Sequence, residues 1–354
     1  MFLIGLELEV NISQMIELII ITAFITSLIS LIILRPLAIK YNLVDYPTER
    51  KNHSGNIPFI GGICVFLGLL ISCITLVELD QFSSLLLITS SLILILGFWD
   101  DFVNLKPKTK IIFQVFVSAM MIYITDIKLE SLGDLFGVSY HIQLGMFSFP
   151  LTIIAVIALT NAINMMDGLD GLAASMVLIA ITGLVFVNLT QEFSGVTAIL
   201  LAIIAALIPF IIFNIAPYKN FKVFLGDGGS LFLGYTVSWA FIYNAESLDS
   251  FTPSFALWFL AIPLFDFFTV IFIRIFKKKS LIIASKDHIH HCLENLGFSK
   301  QVILLIIFFS GLIILLIGSF IEHNFPDLSF LVFVILFLLY LFLRVLNNSF
   351  EKSK

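Results

Sequence analysis

Asn161, Asn164, Asp167 and Asp170 recur at every third residue of the stretch Asn161-Ala-Ile-Asn-Met-Met-Asp-Gly-Leu-Asp-Gly-Leu172. Residues three apart are neighbours on a helix, but four in succession drift around its surface. Gly168 and Gly171 release the backbone where that drift begins, so the spacing predicts a helix that ends in a polar turn. Two carboxylates and two carboxamides at the end of an apolar helix are costly unless they bind something. Read singly, the asparagines suit interhelical ties and the aspartates suit caps. Read together, the four predict a ligand site.

Three further clusters have the same character. Asp100-Asp101 closes an apolar run, and Lys106, Lys108, Lys110 and Gln114 follow it. Adjacent carboxylates repel, so at least one is expected to face a cation or a metal. Phe224-Leu-Gly-Asp-Gly-Gly-Ser230 opens another apolar run. Its glycines would let the backbone approach a phosphate at a helix N-terminus, with Asp227 beside it. A carboxylate at a phosphate site calls for a divalent cation between them, and Mg²⁺ suits few protein carboxylates plus substrate oxygens. Asp287-His-Ile-His-His291 follows Arg274 and a lysine run. The histidine spacing is poor for one tetrahedral zinc on a regular element, and imidazole donors in a basic cluster suit a pyrophosphate better. A fourth loop, with Arg50, Lys51 and His53 ahead of Pro58 and the pair Gly61-Gly62, adds positive charge but is a weak signal alone.

The elements that must position these groups are membrane helices. Of 354 residues, 60% are hydrophobic and only 12% charged, and mean hydropathy is +1.09. A soluble chain could not keep that much apolar surface from water, so an all-α polytopic integral membrane protein is expected. The net charge of -5 and the scattered acids give no sign of a nucleic-acid partner. Cys64, Cys73 and Cys292 form no disulfide framework. Apolar runs at 14-34, 59-77, 82-99, 110-125, 148-164, 172-189, 195-213, 230-245, 254-274, 301-321 and 328-346 predict about eleven transmembrane helices. Glu7 and Glu9 before the first run, and Arg35 after it, predict a retained helix with its N-terminus outside. On that topology Arg35, Lys40, Arg50, Lys51, Lys106, Lys108, Lys110, Lys219, Lys222, the segment from Arg274 to Lys300, and Arg344 with the tail all lie inside. Only Lys128 lies outside, as the positive-inside rule requires, and the C-terminus is then cytoplasmic. The expectation is one membrane domain over 1-354, with active-site loops at about 35-58, 99-110, 164-172, 214-229 and 275-300 all on the cytoplasmic face. Carboxylates, amides, lysines and histidines gathered on one membrane face suit a Mg²⁺-supported phosphate reaction between a soluble nucleotide and a lipid.

Taken in order, Asp100-Asp101, the Asn161 to Leu172 stretch, Leu225-Gly-Asp-Gly-Gly-Ser230 and His288-Ile-His-His291 resemble the polyprenyl-phosphate N-acetylhexosamine-1-phosphate transferases over nearly the whole chain. Asn42 to Asp45, Arg50-Lys51-Asn-His53 and the His-x-His-His pattern look most like the bacterial undecaprenyl-phosphate N-acetylglucosamine-1-phosphate transferase group. The resemblance implies UDP-N-acetylglucosamine and undecaprenyl phosphate as substrates, and Mg²⁺ as cofactor with Mn²⁺ as its substitute. It places the enzyme in the bacterial inner membrane, initiating O-antigen, common-antigen or teichoic-acid type polymers, and it suggests a homodimer. By the same implication Asn164 and Asp227 hold the metal, and Asp170 meets the uracil. Lys110, Arg274 and the histidines His288, His290 and His291 contact the diphosphate or sugar. Lys51, His53 and Asn161 are further substrate contacts, and Asp167 is a catalytic candidate. Asp100 or Asp101 acts near the lipid phosphate; Asp100 is the expected base and Asp101 the residue expected to position Lys110. The segment Lys277-Lys-Lys-Ser280 lacks the glycine usual in the family. Two alternatives are a phospho-N-acetylmuramoyl-pentapeptide transferase, which typically has three consecutive histidines where Ile289 intervenes here, and a proton-coupled transporter built on Asp266.

Overall fold

The computed structural model describes residues 2–46, 55–136, 138, 141–189, 191–216, 218, 220–248, 250–278 and 287–351, with side chains from 12 to 346. It is nearly all helical. The elements in order are α1 (Phe2–Lys40), a two-stranded ribbon of β1 (Val44–Asp45) and β2 (Ile57–Pro58), α2 (Gly61–Leu76), α3 (Gln81–Val103), α4 (Pro107–Thr125), α5 (Ser148–Met166), α6 (Leu172–Asn188), α7 (Gly195–Ile215), α8 (Gly226–Glu246), α9 (Ala256–Phe259), α10 (Ala261–Phe276), α11 (Ile289–Asn295), α12 (Lys300–Asn324) and α13 (Pro326–Glu351). Among the described residues seven helices are long and apolar enough to cross a membrane, and α2 and α6 are shorter apolar helices. Each of the eleven apolar runs falls on a helix, but the ninth is broken at Leu260, between α9 and α10.

Helix α8 organises the bundle. It is buried over nearly its whole length and packs against α3, α5, α2 and α6. Between membrane helices there is little hydrophobic drive, so association depends on close packing and on polar ties. The sequence of α8 supplies both. A side chain at Gly229 would collide with the Gly62 backbone of α2, and one at Gly228 with the backbone of Phe98 in α3. At Gly234 the obstacle would be Thr160 of α5. Ser90 of α3 and Thr236 of α8 share a 2.7 Å hydrogen bond. Such a tie contributes only about 0.6 kcal/mol in a membrane, so glycine-mediated contact sets the helix spacing.

The connections that bear the polar clusters meet at one end. Asn104, with φ 50, ends α3 in the left-handed conformation, and its amide bonds the Asp100 carbonyl. Pro107 then starts α4 in its first turn. The tight hairpin brings Asp100 and Lys110 face to face. The amides of Gly61 and Gly62 donate to the carbonyls of Phe224 and Leu225, and the amide of Phe224 donates to the Pro58 carbonyl. The first loop is thereby joined to the start of α8.

Candidate active site

Helix α5 ends at Met166 and α6 begins at Leu172, so Asp167 to Gly171 form the polar turn that the spacing predicts. Gly171 takes φ 77, and its amide donates to Asn214 Oδ1 at 2.5 Å. Asn214 also donates to the Val223 carbonyl at 2.8 Å. This buried amide ties the turn to the segment leading into α8, and it was not a candidate from sequence because a single asparagine closing an apolar run reads only as a helix end.

Asp227 lies at the centre. Its Oδ1 accepts from Asn164 Nδ2 at 3.0 Å, and its Oδ2 is 3.5 Å from Lys110 Nζ. The same Asn164 nitrogen donates to Ser230 Oγ at 2.9 Å. Lys110 pairs more closely with Asp100 Oδ2, at 2.5 Å, while Asp100 Oδ1 accepts the Leu105 amide at 2.7 Å. Four helices therefore each give one group: Asp100 from α3, Lys110 from α4, Asn164 from α5 and Asp227 from α8. One turn below, Asn161 Nδ2 donates to Gln114 Oε1 at 2.9 Å and braces α4 against α5.

Two expectations require correction. Asp101 does not position Lys110. Its two oxygens accept the amides of Asp227 at 3.0 Å and Gly228 at 3.2 Å, capping α8 from another helix. Lys110 turns instead to Asp100, directly across the hairpin. Nor do the glycines around Asp227 open the backbone to a phosphate. Gly228 and Gly229 face neighbouring helices, and the first amides of α8 are occupied by Asp101. Gly226, with φ 77, leaves just enough room for the Asp101 carboxylate.

The carboxyl of Asp167, just beyond α5, is held well above the usual carboxylate range by burial and then by Asp227, Asp101 and Asp170. Below about pH 4 both folded and unfolded chains keep this proton. As pH rises further, the unfolded chain releases it while the folded one retains it, and stability falls until the folded value is passed. Asp167→Asn is therefore expected to melt above the unsubstituted protein at pH 8, with the gap closing toward pH 4. A melting difference that ignores pH would remove this account.

Asp170 Oδ2 pairs with Lys222 Nζ at 2.5 Å, and Lys222 lies 5.7 Å over the Phe224 ring. Lys222 was only one of several inside lysines by sequence. Arg274 is buried in the last turn of α10. Lys51 and His53 lie outside the described residues, as do residues 279–286 ahead of the histidines. Lys278 adopts φ 51 where the resemblance leads one to expect a glycine nearby. That is the left-handed conformation glycine takes without strain.

The three histidines reach the same end, His288 as the residue that precedes the short helix α11 and His290 and His291 in its first turn. The rings of His288 and His290 are parallel, with centroids 5.9 Å apart, and His291 lies 4.2 Å from His290. His290 is 2% exposed and neither ring nitrogen has a partner among the described residues. Burial, with the neighbouring His291 and His288, pushes its pKa down to about 3, so it is a neutral imidazole. It packs on Gly168, where an added Cβ would lie 2.4 Å from its Nε2. His291 Nδ1 meets Glu294 at 3.0 Å, and His288 Nδ1 meets Asp266 at 2.7 Å. The rings of His288 and His290 lie parallel and that of His291 is tilted 49° to its neighbour, and among the described residues no three such side chains are grouped so as to hold a metal, an arrangement unlike a tetrahedral zinc site.

A profile of glycosyl transferase family 4 matches residues 83–245, the stretch from α3 through α8. The chain is 33% identical over 331 residues to the undecaprenyl-phosphate alpha-N-acetylglucosaminyl 1-phosphate transferase of Escherichia coli O157:H7, covering 90% of this chain and 88% of the relative. It is 35% identical over the same shares to the protein of that name from Salmonella typhi. Against that of Yersinia pestis it is 34% identical over 326 residues, again covering 90% and 88%.

Proposed function

The chain belongs to the glycosyl transferase family 4 proteins that include the undecaprenyl-phosphate alpha-N-acetylglucosaminyl 1-phosphate transferases, and from that premise we propose its reaction. It transfers N-acetylglucosamine 1-phosphate from UDP-N-acetylglucosamine to undecaprenyl phosphate, giving undecaprenyl-diphospho-N-acetylglucosamine and UMP. An oxygen of the lipid phosphate attacks the sugar-bearing phosphorus, and the bond to the uridine-bearing phosphate breaks. The observation that carries the reading is the meeting of Asp100, Lys110, Asn164 and Asp227 from four helices.

The donor set fits Mg²⁺. With Asn164 Nδ2 engaged twice, its amide oxygen is the atom left for a cation, beside the Asp227 carboxylate. One carboxylate and one amide oxygen, completed by phosphate oxygens and water, is the kind of site Mg²⁺ accepts. When bound, the ion neutralises charge on the phosphate oxygens. Lys110 supplies a fixed positive charge beside it. Asp100 orients Lys110 and takes the last proton of the lipid phosphate, whose second pKa near ~6 is raised by an anionic leaflet. Asp101 keeps the start of α8, and so Asp227, in register. The histidines and Arg274 serve the diphosphate and sugar. The excess of inside lysines and arginines supports eleven spans in a bacterial cytoplasmic membrane, with the site facing the cytoplasm.

The pentapeptide transferase alternative is disfavoured by Ile289 between the histidines and by the names of the relatives. For the transporter alternative, Asp266 is engaged by His288, Ile289 and Tyr340 rather than free to carry protons. The direct test incubates purified protein with undecaprenyl phosphate, Mg²⁺ and a panel of UDP-sugars. UMP should appear with UDP-N-acetylglucosamine; UDP as the nucleotide product, or no turnover with that sugar, refutes the reading. Within it, Asp100→Asn should be slow at neutral pH and recover relative to the unsubstituted enzyme as pH approaches ~9, where solvent removes the proton, a base being typically worth about 10²–10⁴-fold. A deficit constant across that range would leave Asp100 a role in charge and position alone.

A further inference from the structure

Asp266 is fully buried in α10, about 12 Å below Arg274 along the helix at 1.5 Å per residue. The histidine loop folds back to meet it. Oδ1 accepts the Ile289 amide at 2.8 Å and the Tyr340 hydroxyl at 3.2 Å, and Oδ2 lies 2.7 Å from His288 Nδ1. The Arg344 guanidinium stands 3.6 Å from Oδ1 and also donates to the Asp287 carbonyl. A backbone amide, a hydroxyl and a guanidinium all present hydrogens or positive charge, so the carboxylate acts as an acceptor throughout. The proton in the remaining contact must then sit on His288 Nδ1.

We propose that Asp266 is a positioning residue for His288, held in turn by Tyr340 and Arg344 of α13. It fixes Nδ1–H on its own carboxylate and leaves Nε2 to face the diphosphate, to which that nitrogen donates when the ring carries its second proton. The histidine pair is doubly constrained: His288 is held by Asp266 on one side and stacks on His290, which rests on Gly168 of the catalytic turn. The last helix is thus part of the support of the active centre, although it contributes no group to the reaction. The proposal rests on the reading that His288 meets the substrate, and the experiment separates the two.

Asp266→Asn keeps the side chain's size but can donate to Nδ1, which frees the opposite tautomer. Carboxylates behind functional histidines are worth about 10–100-fold where they have been removed at metal sites. The expected result is a loss of that size in kcat, with KM for UDP-N-acetylglucosamine changed less than ~3-fold. In a His288→Ala background the same substitution should cost less than ~3-fold more, because its effect passes through the imidazole. Independent multiplication of the two losses, or an unchanged kcat in Asp266→Asn, overturns the proposal. If Asp266→Asn does not fold, Tyr340→Phe carries the same comparison, with a loss of ~3–10-fold expected only when His288 is present. The tautomer is read without turnover by ¹⁵N shifts of histidine-labelled protein, with six histidines to resolve and His288→Ala giving the assignment. Nδ1–H should be found at His288 and altered in Asp266→Asn. A histidine with Nδ1 unprotonated overturns the proposal even if the transferase is active, and an inactive enzyme with the expected tautomer faults only the reading of the reaction.

Discussion

Asp227→Asn is expected to lower transfer by at least ~10³-fold, about 4 kcal/mol of barrier, while leaving the protein folded. The start of α8 is held through its backbone by Asp101, and its packing runs through glycines. Neither depends on the Asp227 charge. What disappears is the one carboxylate placed between Asn164 and Lys110. A cation that strips water reluctantly needs that charge, and the amide cannot replace it. Residual activity should accordingly require more Mg²⁺ than the unsubstituted enzyme. Rates measured over a Mg²⁺ titration, with a thermal melt to check folding, decide it. Full activity at the usual Mg²⁺ level would end the assignment of Asp227 as a ligand.

Gly168→Ala is expected to cost ~10²-fold in kcat through a single methyl group. An added Cβ would stand 2.4 Å from His290 Nε2 and 2.7 Å from Cε1. At that separation the imidazole must move, and it has little room because it is buried between His288 and His291. The start of α11, with all three histidines, would be lifted from the turn bearing Asp167 and Asp170. A displacement of about 1 Å in a positioning element can cost 10²-fold. Gly311→Ala is the matched control, since its neighbours Ile179 and Met176 lie at ordinary contact distance; it should stay within twofold. Equal activity in the two variants would show that α11 does not need its seat on the turn.

Much of this was legible in the chain. The third-residue spacing of Asn161 to Asp170 foretold the helix and its polar turn, because that pattern is local to one element. The adjacent carboxylates Asp100 and Asp101 foretold a cation, and Lys110 fills that place. Apolar runs located the helices, since long uninterrupted hydrophobicity has one common explanation in a membrane. The break at Leu260 was hidden because both sides are equally apolar. The partners of Asp266 were not legible at all. Tyr340 and Arg344 belong to a different apolar run, and a single arginine near a helix end reads first as a topology signal. Partnership between helices depends on how their faces are turned, and spacing along the chain carries no such information. The glycines around Asp227 were misread for a similar reason: close backbone approach can serve a ligand or a neighbouring helix, and only the packing distinguishes them.

The burial of α8 on all sides also bears on how the chain enters the membrane. This helix carries Asp227 in its first turn and Asn244 near its end, with Ser230, Thr236, Ser238 and several glycines between, and would partition poorly into lipid as a solitary segment. Its closest contacts, at Gly62, Gly97 and Thr160, are on α2, α3 and α5, which are synthesised before it. A slot lined with small residues is therefore available when α8 leaves the ribosome, and transfer from the translocon into that slot replaces transfer into lipid. Asp227 is thereby delivered into a cradle that its neighbours have already built.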